Sequence, residues 1–326
     1  MRISISVLLV FFAVLSGFSS DFVKLQKADY PRQINELIFR LSCDPNDRQA
    51  AKRLLKTYSS ALDDYQKEID RLRSEPDSFK WTKTYDLMDE LNELSNEIRY
   101  NSSANRLICE PRFYDEELTE VKQKAVLELC DLGTKALNSG GVQRARQSYF
   151  CFEKAVKLRP AFAEGKQKLQ EAKEKATIRI LIDKPAAYAS YKNLYTVRFH
   201  EALLNKLQSD FLLDQFVNFY SATEFKQRKL IQNWTVRISF IDIFMENAAS
   251  IDNSRSVYVN GVADIKIVSG KEARTIFDRR IPNQFIWKSF VPNNGSDLQG
   301  IFDSFSLSMT DQISRTLSDF IKMSNY

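Results

Sequence analysis

Histidine occurs once in this 326-residue chain and glycine only nine times. Each scarcity removes mechanisms. Nucleophilic triads, histidine-based metal sites and most general-base chemistry need histidine, and only His200 is available. A zinc site would need His200 together with cysteines or carboxylates at ligand spacing, and none are so placed. Loops that cradle phosphate need clustered glycine, and Gly140-Gly141 is the single adjacent pair. An excess of one charge sign is also lacking. The net charge is +5 over the whole chain, spread across both halves, so neither half reads as a nucleic-acid-binding surface. Apolar runs of membrane length are absent, since a spanning helix needs about 20 residues. From these absences we expect no catalytic residue, no cofactor and no metal.

What is present begins at the start of the chain. Arg2 is followed by the unbroken apolar run Val7 to Leu15 and then by the small residues Ser16-Gly17-Phe18-Ser19-Ser20. A positive start, a short apolar core and a small-residue end form a secretory signal, cleaved after Ser19. The alternative, an uncleaved anchor, asks for a longer run than this one. No cysteine lies near the cleavage point, so a lipid anchor is not expected. Residues 1–20 are thus a signal peptide, and the mature chain is expected to fold outside the cytoplasm. Hydrophobic content of 44% and charged content of 27% suit a folded soluble protein with room for two cores.

Composition changes near Thr177, which divides the mature chain into a helical domain (21–176) and an α+β domain (177–326). In the first, apolar residues recur every three or four positions. They predict helices over about 32–42, 47–74, 79–100, 114–138, 142–158 and 161–176, with a loop from Asn101 to Pro111. In the second, Ile178 to Ile182 reads as a buried strand, a helix covers about 195–207, and Leu212 to Phe219 is a candidate strand. Alternating runs follow over Trp234 to Met245, about 256–267 and Arg274 to Ile281, with a further extended segment from Gln284 to Val291. The turn Ile251-Asp252-Asn253-Ser254 makes a hairpin of the first two runs. The chain closes on an amphipathic helix, about 298–322, striped by Phe302, Phe305, Met309, Ile313, Leu317 and Phe320. The expected fold class is α+β: a helical array followed by a sandwich of helices on a mostly antiparallel sheet.

Gly133, Gly140, Val142 and Ala145 stand at the spacing of a tetratricopeptide repeat, and the first half resembles that family over Asp47 to Ala176. Pro160 follows Ala145 by fifteen residues where the family's closing proline follows by twelve, so the second helix is a turn longer than usual. The resemblance implies stacked helix pairs that offer a surface for another protein's segment. In the second half, the strand Ile178–Ile182, the helix ending Ala202-Leu203-Leu204, Phe216-Val217, the long hairpin, the unit Ile265 to Phe277 and the closing helix share an order. That order is similar to the periplasmic domain of the curli secretion channel lipoproteins and of the lipoprotein activators of penicillin-binding proteins. Those proteins are lipidated, whereas this chain has no cysteine for it. The resemblance implies an envelope-assembly module that docks on a partner or self-associates.

The candidate site residues are the four cysteines, Cys43, Cys109, Cys130 and Cys151. An even count in an exported chain permits disulfides. Cys130 and Cys151 flank the Gly140-Gly141 turn by about ten residues each, which puts them at one height on antiparallel helices. Cys43 and Cys109 each precede a long helix. The pairings Cys43–Cys109 and Cys130–Cys151 are one reading; small buried thiols are the other. His200, beside Glu201 on an apolar helix, reads as a satisfied buried side chain. Asp115-Glu116-Glu117 falls in a first helical turn, where acids complement the helix dipole. Arg279-Arg280 beside Asp278 reads either as an anion site or as an edge-strand guard. Asn101, Asn233 and Asn294 open acceptor sequons for N-glycans.

The expected function is that of a non-catalytic, exported adaptor or scaffold. It would act in a bacterial periplasm, in cell-envelope assembly or a secretion system. Its expected partners are outer-membrane or periplasmic proteins, with no nucleic acid and no membrane span of its own. The alternatives are a structural subunit of a large envelope machine, or a glycan hydrolase working through two opposed carboxylates.

Overall fold

The computed structural model describes residues 29–185, 194–248, 255–270, 272–289 and 297–324. The signal segment, the hairpin turn 251–254, the loop 292–296 and Asn294 lie outside the described residues. The chain divides into two compact units, Met1–Ala172 and Lys173–Tyr326.

The first unit is helical because its sequence gives each helix an apolar face and most of them a polar start. Helix α1 (Tyr30–Cys43) opens on Asp29, whose side chain accepts from the Arg32 amide, with Pro31 in the first turn. Its buried residues Tyr30, Ile34, Leu37 and Leu41 repeat at helical spacing. Helix α2 (Arg48–Ser74) is capped by Asp47, which accepts from the Ala50 amide at 2.8 Å. It buries Leu54, Tyr58, Tyr65, Ile69 and Leu72 along a length of about 40 Å. Helix α3 (Lys80–Tyr100) follows, then a short helix α4 (Ser102–Leu107). The sequence reading left that stretch as loop. Asn101 is the reason it is helical: its side-chain oxygen accepts from the Ser103 and Ala104 amides at 3.1 and 2.9 Å.

Helices α5 (Asp115–Ser139) and α6 (Val142–Leu158) form an antiparallel hairpin closed by Gly140 and Gly141. Both glycines hold positive φ (73° and 84°), which a residue with a Cβ resists. The first unit ends within helix α7 (Ala163–Ala176). One core cluster gathers α1 to α4 with Tyr114 and Val121. A second gathers Ala125, Val126, Leu129, Cys151, Ala155 and Leu158, with Phe79, Trp81 and Tyr85 packed against it.

The second unit is α+β, as the alternation of its sequence requires. Its sheet runs β2-β1-β3-β4-β5. Strand β1 (Ile178–Ile182) pairs in parallel with both β2 (Val217–Ser221) and β3 (Trp234–Ala248). Strands β3, β4 (Arg255–Ser269) and β5 (Thr275–Ser289) form an antiparallel meander, with a bulge in β3 between Phe240 and Asp242. Helix α8 (Leu194–Asp210) carries the crossover from β1 to β2 and buries Phe199, Leu203 and Leu207. A short helix α9 (Ala222–Arg228) carries a capping box between Ser221 and Glu224. Helix α10 (Asp297–Ser324) buries Ile301, Phe305, Met309, Ile313, Leu317 and Ile321, every fourth residue. Phe320 lies beside this stripe, its ring 4.6 Å from that of Phe277 and 5.9 Å from that of Trp234.

Two boundaries differ from the sequence reading. Strand β2 begins at Val217, not Leu212: Leu212 and Leu213 are exposed in a turn held by Asp214, whose carboxylate accepts from the Phe216 amide. Strand β5 is continuous where two extended segments were expected. It is the sheet edge, where one row of amides has no strand to bond, so Pro282 is tolerated within it.

Candidate functional site

A groove opens on the first unit where α5 meets the turn after α6. Its volume is about 630 Å³, within the range of small-ligand and side-chain pockets. Val126 and Leu127 of α5 supply part of its floor, and Leu158, Pro160 and Ala161 the rest. Thr119, Lys122, Gln123 and Arg159 stand around it. The sequence places these residues together simply. Thr119, Lys122, Gln123, Val126 and Leu127 recur at three- and four-residue spacing, so they share one face of α5. Pro160 ends α6 and turns the chain across that face.

The groove holds no histidine, cysteine, aspartate or glutamate. Leu127 is 70% exposed, although the apolar face of its helix is turned inward at Val121, Ala125, Val126 and Leu129. Its place outside that stripe was the signal available in the sequence, and sequence reasoning passed over it, as it did Lys122 and Arg159. The Arg159 guanidinium lies over the Phe162 ring, 5.7 Å from its centroid.

The cysteines, the residues singled out from sequence, are all free thiols here. Cys43 and Cys109 are exposed, Cys130 is half-buried and Cys151 buried. Cys130 and Cys151 share the α5–α6 cluster. Burial pushes the Cys151 thiol up to about 12, with the Cys130 thiol and Glu128 adding to it. Burial also raises Cys130, and the nearby Glu164 carboxylate raises it further while Arg159 opposes. Neither is an activated nucleophile. In the reduced protein we expect iodoacetamide at pH 8 to alkylate Cys43 and Cys109 first, and Cys151 only at the rate of unfolding. Peptide mass mapping of a time course reads the order, and early labelling of Cys151 would contradict its burial.

The remaining candidates are structural. His200 is buried, its Nε2 2.9 Å from the Ile182 carbonyl oxygen. Asp115, Glu116 and Glu117 occupy the first turn of α5, and Asp115 accepts from Asn92 at 3.2 Å. Arg279 and Arg280 are exposed on the edge strand. Arg280 lies 3.9 Å from Asp264, and Lys266 bridges Asp264 and Asp278 at 3.4 and 3.6 Å. Arg280–Asp264 and Lys266–Asp278 are cross-strand charge pairs, the usual chemistry of a guarded edge. Asn101 is engaged at both ends of its amide, donating to Ser42 Oγ at 2.7 Å. Asn233 accepts from the Arg179 amide at 2.8 Å. Among the described residues no three of His, Cys, Asp and Glu gather where a metal ion could sit.

Sequence reasoning also missed Glu128. Phe79, the first residue before α3, offers no side-chain cap. Glu128 reaches over from α5 instead and accepts from the Trp81 amide, the Thr82 amide and the Thr82 hydroxyl at 3.1, 2.9 and 2.8 Å. A carboxylate at a helix start satisfies orphan amides and complements the dipole. Nearby, Lys154 bonds Asp86 at 2.6 Å.

Asp47 gives a pH-dependent prediction. The Ala50 amide, then Arg40, hold its carboxyl below the usual range. A carboxyl depressed in the folded state adds stability above its unfolded value, near 4, that is lost as pH falls through the folded one. The midpoint of thermal unfolding should therefore fall below about pH 4, and Asp47→Ala should fall less steeply. An equal slope in both would remove Asp47 from the account.

No family model matches the chain, and no curated protein matches it. Solved structures do. A neuraminyllactose-binding hemagglutinin homolog from Helicobacter pylori is 12% identical, at a TM-score of 0.32, over 46% of this chain and 90% of its own. A DUF330 protein from Xanthomonas campestris is 10% identical, at 0.31, over 46% and 90%. A lipoprotein from Neisseria meningitidis is 12% identical, at 0.24, over 42% and 99%. At scores this low nothing of these proteins' roles transfers to this chain. Among the described residues, no helix is long and apolar enough to cross a membrane.

Proposed function

We propose that the chain is a non-catalytic adaptor, exported to a bacterial envelope, that binds a segment of another protein. The observation that carries this reading is the α5–α6 groove. Its floor is apolar, and among the described residues its lining holds no histidine, cysteine, aspartate or glutamate to serve as a base beside Lys122 or Thr119. Such a groove can hold a ligand and has little with which to transform one. The tetratricopeptide-like hairpin, with Gly133 and the Gly140-Gly141 turn, supports a protein-binding role for the first unit. The strand order of the second unit supports the resemblance to envelope-assembly domains, and with it docking or self-association. A structural subunit of a larger machine is the alternative within the same class. The leader read from residues 1–20 supports export. In an oxidising compartment this reading includes the pairs Cys43–Cys109 and Cys130–Cys151, which non-reducing peptide mapping would detect.

The test is to express the full chain in a Gram-negative cell. A mature protein beginning at Ser20 in the periplasm, inert toward purified cell wall, is the expected result. An intact leader on a cytosolic product, or release of soluble glycan fragments, would overturn the reading.

A further inference from the structure

The cations of the α5–α6 hairpin are not all alike. Lys124 bonds Glu120, Lys135 bonds Asp131, Lys154 bonds Asp86 and Lys157 pairs with Glu153. Among the described residues Lys122 and Arg159 have no carboxylate partner, and these two line the groove. The helix spacing explains Lys122: the residues three and four positions away are Leu118, Thr119, Ala125 and Val126, none of them acidic. Arg159 is kept at the groove by its stack on Phe162.

Between the two cations lies an apolar floor with a leucine left mostly in water. Covering that leucine removes apolar surface from water, which favours a bound apolar side chain. The floor asks for aliphatic or aromatic side chains and the rim for negative charge. A polyanion does not fit this arrangement. Acids stand near both cations in sequence: Glu116, Glu117 and Glu120 precede Lys122 on α5, and Glu164 in the first turn of α7 follows Arg159. Two isolated cations inside such a surround suit one or two carboxylates, not a phosphate backbone. An open groove along a helix face, lined also by the amide of Gln123 and the hydroxyl of Thr119, suits a peptide.

We propose that this groove binds a peptide segment in which an apolar side chain is flanked by aspartate or glutamate. This occupant deepens the adaptor reading and rests on it. Leu127 takes up the apolar side chain, and Lys122 and Arg159 receive the carboxylates.

The test uses the full-length chain and a phage-displayed library of random peptides. Selection should enrich peptides with Leu, Ile or Phe next to Asp or Glu. A synthetic peptide from the enriched set should bind, by fluorescence anisotropy, about 10-fold more weakly to Lys122→Glu and to Arg159→Glu, and more weakly again in high salt. Leu127→Asp, at a residue already exposed, should abolish binding while leaving the circular dichroism unchanged. The doubly reversed variant, Lys122→Glu with Arg159→Glu, should enrich Lys- and Arg-flanked peptides instead. Enrichment indifferent to these substitutions would overturn the proposal. So would competition by dodecanoate as strong as by the peptide, which would mark a lipid site, or a dimer that Leu127→Asp dissolves. Crosslinking to an envelope protein through another surface, with no peptide selected here, would defeat this occupant and leave the adaptor reading standing.

Discussion

Gly133→Leu will cost about 3 kcal/mol or more of folding stability. A Cβ at Gly133 would stand 3.0 and 3.1 Å from two carbons of the Phe152 ring and 3.2 Å from Cys151 Cβ. Phe152 and Cys151 are both buried, so neither can swing out to make room. The glycine is what lets α5 and α6 approach at this level, and a branched side chain forces them apart or off their rotamers. Gly133→Ala is the control. Its methyl is tight against Phe152, but alanine gains about 1 kcal/mol of helix propensity over glycine, so the two terms nearly cancel. Urea unfolding of both variants measures the difference. A leucine variant within about 1 kcal/mol of the parent would mean that the helices are not in close contact there.

Glu128→Ala has the second largest expected effect. One carboxylate satisfies two amides and a hydroxyl at the start of α3. Thr82 is fully buried, so its groups have no water to turn to. Leaving buried donors unsatisfied costs about 1–3 kcal/mol, and the charge-assisted character places this case toward the upper end. Glu128→Gln keeps one acceptor and loses the charge, and should fall between the parent and alanine. Equal stability of all three proteins would show that the cap is not made in solution.

These two sites also show where the sequence was legible. Helices α2, α5 and α6 were readable because their apolar residues repeat with the helical period and are bounded by Asp47 at the start of α2, Gly140 after α5 and Pro160 after α6. The hairpin of β3 and β4 was readable because apolar and polar residues alternate from Trp234 to Phe240 and from Val257 to Ile267. Gly133 and the Gly140-Gly141 turn were legible as packing signals, and the structure gives them that use. Glu128 was not legible. The residues it caps lie 47 and 46 positions earlier, and no local spacing announces such a bond. The continuity of β5 was not legible, because Pro282 within an extended run is tolerated only where the strand stands at a sheet edge. Asn101 was read as loop because its capping hydrogen bonds start a helix of only six residues. Short helices lack the periodicity on which such reading depends.

The candidate site was the least legible part. The cysteines draw attention in a chain read as exported and with little histidine, yet none of them lines the groove. The groove is made by residues that are individually ordinary: a lysine, an arginine, a leucine on the wrong side of its helix, and a proline. Only their convergence gives them a role. That convergence depends on the turn after α6, a helix that reads as one turn longer than in the repeat the sequence resembles.

One experiment bears on the whole account. A photo-crosslinking amino acid placed at Leu127, in the full-length chain expressed in the envelope of a Gram-negative cell, reports what occupies the groove. The same probe at Leu55, an exposed residue of α2 outside the groove, is the reference. The account expects one discrete protein adduct from position 127, lost when Lys122 and Arg159 are both reversed in charge, and none from position 55. Adducts that are the same from both positions, or that survive the double reversal, would contradict it.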